Sequence, residues 1–167
     1  MGIPALTLDT NLLHRFWKQQ PKARVVEQLL FLAEQGKVDL AVTRRVHDDI
    51  PEPPLADRLN ELPTLKVRET GVEARVGDWV LGEDMIGDDA FERYRSTACE
   101  MAQKRGKKPP DWRDWSHLHG HYLAHRDVFL TWDGGILCLR KELRERFGIV
   151  VMTPEEYIET FDGDPSQ

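Results

Sequence analysis

Short apolar runs alternate along this chain with longer stretches whose apolar residues recur every three or four positions. Residues 3–8, 38–42, 64–68, 127–131 and 149–152 read as strands. Helices are expected from Asn11, from Pro21 to Gly36, over 44–50, 55–62, 88–104, 111–125 and 134–147, and again after Thr153. Val25, Val26, Leu29, Leu30 and Ala33 keep helical spacing in the second of these, and Gly36 and Gly148 are natural stops. Thr153-Pro-Glu-Glu offers an N-cap, a proline at the first helical position and an acid placed to close a capping box. Residues 69–87, punctuated by Gly71, Gly77, Gly82 and Gly87, give no readable pattern. Strands separated by helices require crossover connections, which predicts an α/β fold with a parallel sheet. Residues 1–162 are expected to form a single domain with an elaboration at about 51–110, followed by a disordered tail at 163–167.

Composition adds boundaries to that picture. The chain has 167 residues, 40 % hydrophobic and 31 % charged, which is enough for one domain with a sizeable core. No apolar run is long enough to span a bilayer, and the N-terminus lacks the basic and apolar regions of a secretory signal. The two cysteines, Cys99 and Cys138, have no metal-type spacing and read as reduced thiols of a cytoplasmic protein. A net charge of −6 argues against a protein that holds nucleic acid by a broad basic surface. It is compatible with an acidic site that approaches phosphates through a cation.

The candidate chemistry lies in acids near strand ends. Asp9 follows the first strand, Asp49 comes shortly after the second, and Asp133 stands two residues beyond Val128-Phe-Leu-Thr131. In open α/β sheets the carboxyl ends of the strands form the ligand crevice, so these acids can converge. Asp114 begins the helix that feeds the strand at 128–131, and it enters at the same edge. Carboxylates gathered there suit Mg²⁺ or Mn²⁺, which polarise a phosphodiester and generate hydroxide from water. Each acid taken singly also fits an ordinary helix cap.

The order of these segments resembles the PIN domain, a family of metal-dependent nucleases. The carrying segments are Leu6-Thr-Leu-Asp9-Thr-Asn11, Ala41-Val-Thr-Arg-Arg-Val-His-Asp-Asp49-Ile50, Asp114-Trp-Ser-His-Leu-His-Gly-His-Tyr-Leu-Ala124 and Val128-Phe-Leu-Thr-Trp-Asp133. The ending Gly148-Ile-Val-Val-Met-Thr-Pro-Glu-Glu-Tyr157 is similar to the last strand and helix of bacterial members. The resemblance implies a three-layer α/β/α sandwich with a mainly parallel central sheet, Mg²⁺ or Mn²⁺, and hydrolysis of RNA phosphodiester bonds. Asp9, Asp114 and Asp133 would be metal-site acids, Thr131 the hydroxyl near the site and Asn11 a supporting polar residue. The second acid is usually glutamate in this family. Here the candidates are Asp48 and Asp49, and Asp49 is preferred because Val46 and Ile50 define the core face. The family includes toxins of toxin–antitoxin pairs, so the resemblance implies an RNA substrate, a homodimer and, for a toxin, an antitoxin partner; a single-stranded substrate is suggested by tryptophans near Asp114 and Asp133, whose faces can stack unpaired bases. The rival reading is a catalytically weak or inactive module of the same fold that binds RNA or protein.

Other polar and aromatic residues lie near the acids in the chain. His117, His121 and His125 recur every four residues and read as partly exposed helix surface, with His117 the best placed to serve the acids. Arg44 and Arg45 are candidate phosphate contacts, and Trp115 and Trp132 candidate base-stacking residues. Trp112 belongs to the same aromatic group. Core or rim packing is the competing account of the tryptophans, and a solvated charge run that of Lys104, Arg105, Lys107 and Lys108.

Overall fold

The first apolar run pairs only from Ala5, so β1 spans Ala5–Leu8 in the computed structural model, which describes residues 2–51, 53–70 and 89–162. The elements that follow are α1 (Thr10–Trp17), α2 (Ala23–Glu34), β2 (Asp39–Thr43), α3 (Val46–Asp49), a 3₁₀ turn at Ala56–Glu61 and β3 (Val67–Thr70). After the gap come α4 (Asp89–Lys104), α5 (Trp112–Leu123), β4 (Val128–Leu130), α6 (Gly134–Leu137), α7 (Arg140–Phe147), β5 (Val150–Met152) and α8 (Pro154–Asp162). The sheet runs β3-β2-β1-β4-β5, and every pairing is parallel.

Strand alternation divides the core between two faces. Leu6, Leu8, Leu40, Val42 and Leu130 pack with Leu12 and Leu13 of α1, Val26, Leu29 and Leu30 of α2 and Tyr157 of α8. Phe129 and Val151 pack on the other side with Phe91, Tyr94 and Ala98 of α4, Trp115 and Leu118 of α5, and Leu143 of α7. Helices therefore cover both faces, and the architecture is the expected α/β/α sandwich around a parallel sheet. Among the described residues no helix is long and apolar enough to cross a membrane.

Several boundaries differ from the pattern reading, each for a local reason. The strand expected at 64–68 begins at Val67, because Leu62 to Lys66 is a turn that ends with Lys66 at φ 58°. The helix expected from Pro21 begins at Ala23, after Lys22 at φ 76°. The helix expected over 134–147 is two helices. The Arg105 guanidinium takes the carbonyl of Cys138, and Leu139 N–H bonds back to Ile136 in the tighter 3₁₀ manner. The helix after Thr153 has its capping box, with Glu156 N–H on Thr153 Oγ1 at 3.1 Å and Thr153 N–H on Glu156 Oε2 at 2.8 Å. The elaboration at 51–110 is not separate from the sheet, since β3 is its edge strand and α4 packs in the second core. The unreadable stretch falls largely at 71–88, and it and the tail at 163–167 lie outside the described residues.

The edge where the strands begin is closed by the buried Arg126 guanidinium and the half-buried Asp39. Arg126 donates to Leu6 O at 2.9 Å, Asp39 O at 2.5 Å and Asp39 Oδ2 at 3.0 Å. Arg68 reaches the same Asp39 carboxylate at 2.8 Å, and Asp127 accepts from Ala5 N–H at 2.7 Å. One planar guanidinium thus ties the starts of β1 and β2 to the residue that leads into β4. Replacing Arg126 with Met is expected to lower stability by about 2–4 kcal/mol, because two strand carbonyls lose their donor. Replacement with Lys should recover little, since one ammonium cannot serve three acceptors in that plane. Urea unfolding midpoints of the three proteins check this; a lysine variant equal to the parent would refute the planar requirement.

Candidate active site

At the opposite edge the strand order reverses. From central β1 the chain moves outward to β2 and β3, then returns to place β4 on the other side of β1. The crevice beyond the carboxyl ends of β1 and β4 is the switch point where such sheets bind ligands. Asp9 leaves β1 there, and Thr131 and Asp133 leave β4. Thr131, fully buried, joins the two sides. Its hydroxyl donates to Asp9 Oδ2 at 2.5 Å and accepts the backbone N–H of Asp133 at 2.9 Å. Asn11 Nδ2 adds a second donor to Asp9 Oδ2 at 2.7 Å. The Asn11 Oδ1 atom is buried with no hydrogen-bond partner.

Each of three acids begins a helix. Asp9 caps α1, Asp133 caps α6 through Ile136 N–H at 2.9 Å, and Asp114 closes a capping box at the start of α5 by accepting Asp111 N–H at 2.8 Å. Asp114 Oδ1 and Asp133 Oδ2 keep no hydrogen-bond partner among the described residues. The three carboxyls also feel one another. Burial pushes Asp114 up from 3.8 to about 6, the Asp111 backbone N–H opposes this, and the charges of Asp111, Asp9 and Asp133 reinforce it. Burial likewise raises Asp9, with His117, Thr131 and Asn11 acting against the rise and Asp133 adding to it.

Asp49 reaches the region through His117. Its Oδ2 lies 2.5 Å from His117 Nε2, which also faces Thr10 Oγ1 at 3.2 Å, while the Thr43 hydroxyl meets Nδ1. Burial would raise Asp49, but its bond to His117, that ring's charge, Thr10 and Arg113 together hold it below the usual carboxylate range. Asp49 Oδ1 is buried without a hydrogen bond, 4.0 Å from Arg113 Nε. Asp48 is exposed and paired with Arg45 at 2.5 Å, so Asp49 is the member of the two that faces inward.

The structure corrects two expectations. The histidine stripe is not helix surface: His117 is 2 % exposed and His121 bonds Thr7 Oγ1 at 2.8 Å against the sheet, leaving only His125 in solvent. Trp115 offers no face to a base, because it is 1 % exposed and packs on Phe91 at 4.7 Å and Tyr94 at 6.1 Å. Trp132 is half-buried, donates to Glu155 at 2.7 Å and carries Arg15 and Lys22 over its ring at 5.2 and 5.5 Å. Arg44 is exposed. Arg45 lies over Trp112 at 5.0 Å, and Arg113 lies over the same ring at 5.5 Å. Trp112, 36 % exposed, is the tryptophan that reaches solvent beside Asp114. Thr10, Thr43 and Arg113 were missed in the sequence. Thr43 had a usable signal, since it ends β2 as Thr131 follows β4.

Among the described residues no three His, Cys, Asp or Glu side chains converge as a ligand set for one metal ion. The donor chemistry still suits a hard cation held by one or two carboxylates and retained waters. Open oxygens on Asp114 and Asp133, the orphaned Asn11 Oδ1 and the mutual repulsion of three acids all favour positive charge there. Neither the family models nor the curated proteins compared with this chain include a match.

A carboxyl raised from 3.8 unfolded to about 6 folded binds more protons in the native state between those values. Stability of the metal-free protein therefore falls as pH rises through that window. Asp114→Asn keeps a cap acceptor and removes the charge. It should raise the Tm in chelator at neutral pH and flatten the decline between about pH 4 and 6. Thermal melts across that range check it; an unchanged slope would mean that Asp114 ionises like a surface acid.

Proposed function

We propose that this protein is a metal-dependent endoribonuclease, with Asp9, Asp114 and Asp133 as the acids that hold Mg²⁺ or Mn²⁺. The observation that carries the reading is the joint placement of these carboxyls at the β1–β4 switch point, where the charges of Asp9 and Asp133 oppose ionisation of Asp114 and that of Asp133 opposes ionisation of Asp9. The resemblance to PIN nucleases supports the same assignment and implies RNA as the substrate, and the exposed face of Trp112 beside Asp114 suits a single strand. A bound cation would polarise the phosphodiester and lower the pKa of a water.

The chain's own residues do the rest. Asn11 and Thr131 hold Asp9 in one orientation, and Thr131 fixes the backbone of Asp133. His117 anchors Asp49 through Oδ2 and leaves its buried Oδ1 without a hydrogen bond, so Asp49 stays the second acid of this scheme. Arg113 and Arg45 are gathered around Trp112, where substrate phosphates would compete with Asp48 for Arg45 and with Asp49 for Arg113. Within this class the protein would be a cytoplasmic toxin with a cognate antitoxin.

A second reading, a module that binds RNA or protein without cleaving it, is favoured by the lack of three converging ligands among the described residues. Incubation of labelled single-stranded RNA with Mn²⁺ separates the two. Cleavage is expected from the wild type, none above background from Asp9→Asn or Asp133→Asn, and about 10–100-fold less from Thr131→Val, which loosens an acid rather than removing it. Mn²⁺ should also raise the wild-type Tm and leave that of Asp133→Asn unmoved. Equal cleavage by wild type and Asp9→Asn in chelator would overturn the nuclease reading. Absence of both cleavage and a Mn²⁺ response would favour the binding module.

A further inference from the structure

The linker between α4 and α5 lays its backbone against Gly135 while the side chains from Lys104 to Lys108 stay exposed. Arg105 bonds the Cys138 carbonyl and the Glu142 carboxylate of α7, and Cys99 Sγ contacts Pro110 O at 3.7 Å. A Cβ at Gly135 would meet the Lys108 carbonyl at 2.2 Å and Pro110 N at 3.3 Å. Only glycine at position 135 allows the linker backbone to lie this close to the loop that carries Asp133. Lys107 then runs beside Gly134, with its Cδ 3.9 Å from where a Cβ would stand.

This seating opens a cleft of about 510 Å³ lined by Lys107, Gly134, Arg140, Lys141, Thr153 and Glu156, among others. Its charge is unbalanced. Glu156 answers Arg140 at 2.9 Å, Glu145 stands 3.9 Å from Lys141, and Lys107 has no carboxylate partner among the described residues. An acidic chain of net charge −6 thus places excess positive charge in a cleft lined by Gly134, the residue that follows Asp133 in the chain. Cys138, on the cleft's lining, lies within electrostatic range of both Lys107 and Asp133.

We propose that this cleft is a phosphate subsite for the single-stranded substrate, in which Lys107 and Lys141 hold a backbone phosphate flanking the bond presented to Asp133. The inference rests on the nuclease reading for what the strand is, and on the cleft alone for where it binds. Lys104, Arg105, Lys107 and Lys108 are exposed, as expected of a solvated charge run, and the close approach at Gly135 fixes where that run stands beside the cleft.

The test is the double variant Lys107→Ala/Lys141→Ala, read in two ways. In Mn²⁺-dependent cleavage of single-stranded RNA, KM should rise about tenfold with kcat nearly unchanged, and Lys107→Arg/Lys141→Arg should restore it. In fluorescence-anisotropy binding of a labelled single strand, the salt slope should fall by about 0.7 for each phosphate contact removed. The exposed pair Lys18→Ala/Lys66→Ala is the control for general charge. A wild-type KM and slope in the Lys107/Lys141 variant, or an equal loss in the control, would overturn the subsite. If the wild type cleaves nothing, the nuclease reading falls and the binding arm alone decides the cleft.

Discussion

The reversal of strand order at β1 is the constraint from which the candidate site follows. Parallel strands linked by helices on both faces leave most strand ends under a crossover. Between β1 and β4 the chain departs in opposite directions, and the two carboxyl ends stand side by side without a connection over them. Asp9 and Asp133 are 124 residues apart in sequence, yet one buried hydroxyl, Thr131, touches the carboxylate of the first and the backbone of the second. The placement of α5 depends on the same reversal. As the helix that feeds β4, it starts at this edge and brings Asp114 to it.

A buried polar thread runs along α5 from one sheet edge to the other. The face that meets α1 and α2 is apolar, with Leu6, Leu8, Leu40 and Val42. The opposite face offers Thr7 and Thr43, and α5 answers with His121 and His117, one helical turn apart. Burial, with Arg126 nearby, pushes His121 down to about 3, so its ring is neutral and satisfied by Thr7. The ring thus continues the polar contacts inward from the Arg126 latch, while His117 ends the thread at Asp49. Side chains of this kind are tolerated inside only when paired, and that pairing fixes how α5 is rotated on the sheet. The rotation in turn decides which side of α5 presents Asp114.

Much of this was legible in the pattern of residues, and the failures have physical causes. The strands and their parallel arrangement follow from apolar runs separated by helical periods. The acids at strand ends follow from topology, and Asp49 over Asp48 from the core positions of Val46 and Ile50. The histidines were misjudged because periodicity reports where polar residues recur, not what the sheet offers opposite them. A stripe of histidines facing leucines would belong outside; facing Thr7 and Thr43 it belongs inside. Trp115 failed for a related reason. Proximity to Asp114 along the chain says little, since consecutive helical residues point about 100° apart, and Trp112 rather than Trp115 emerges at the surface. The break at Cys138 depends on Arg105, far away in sequence, and no local signal could show it.

Capping and cation binding are usually weighed as rival accounts of an aspartate at a helix start. Here they use different atoms. Asp114 gives Oδ2 to the Asp111 N–H and Asp133 gives Oδ1 to the Ile136 N–H, leaving one oxygen of each open. A cap by itself lowers a carboxyl, because backbone N–H donors favour the charged form. Asp114 is displaced the other way, to about 6, since burial and the neighbouring acids outweigh its cap. That sign comes first from burial, with the charges of Asp111, Asp9 and Asp133 adding to it. Local helix chemistry accounts for where these aspartates stand, whereas the cost of charge at this buried edge is relieved by a proton at low pH or by a positive partner at neutral pH.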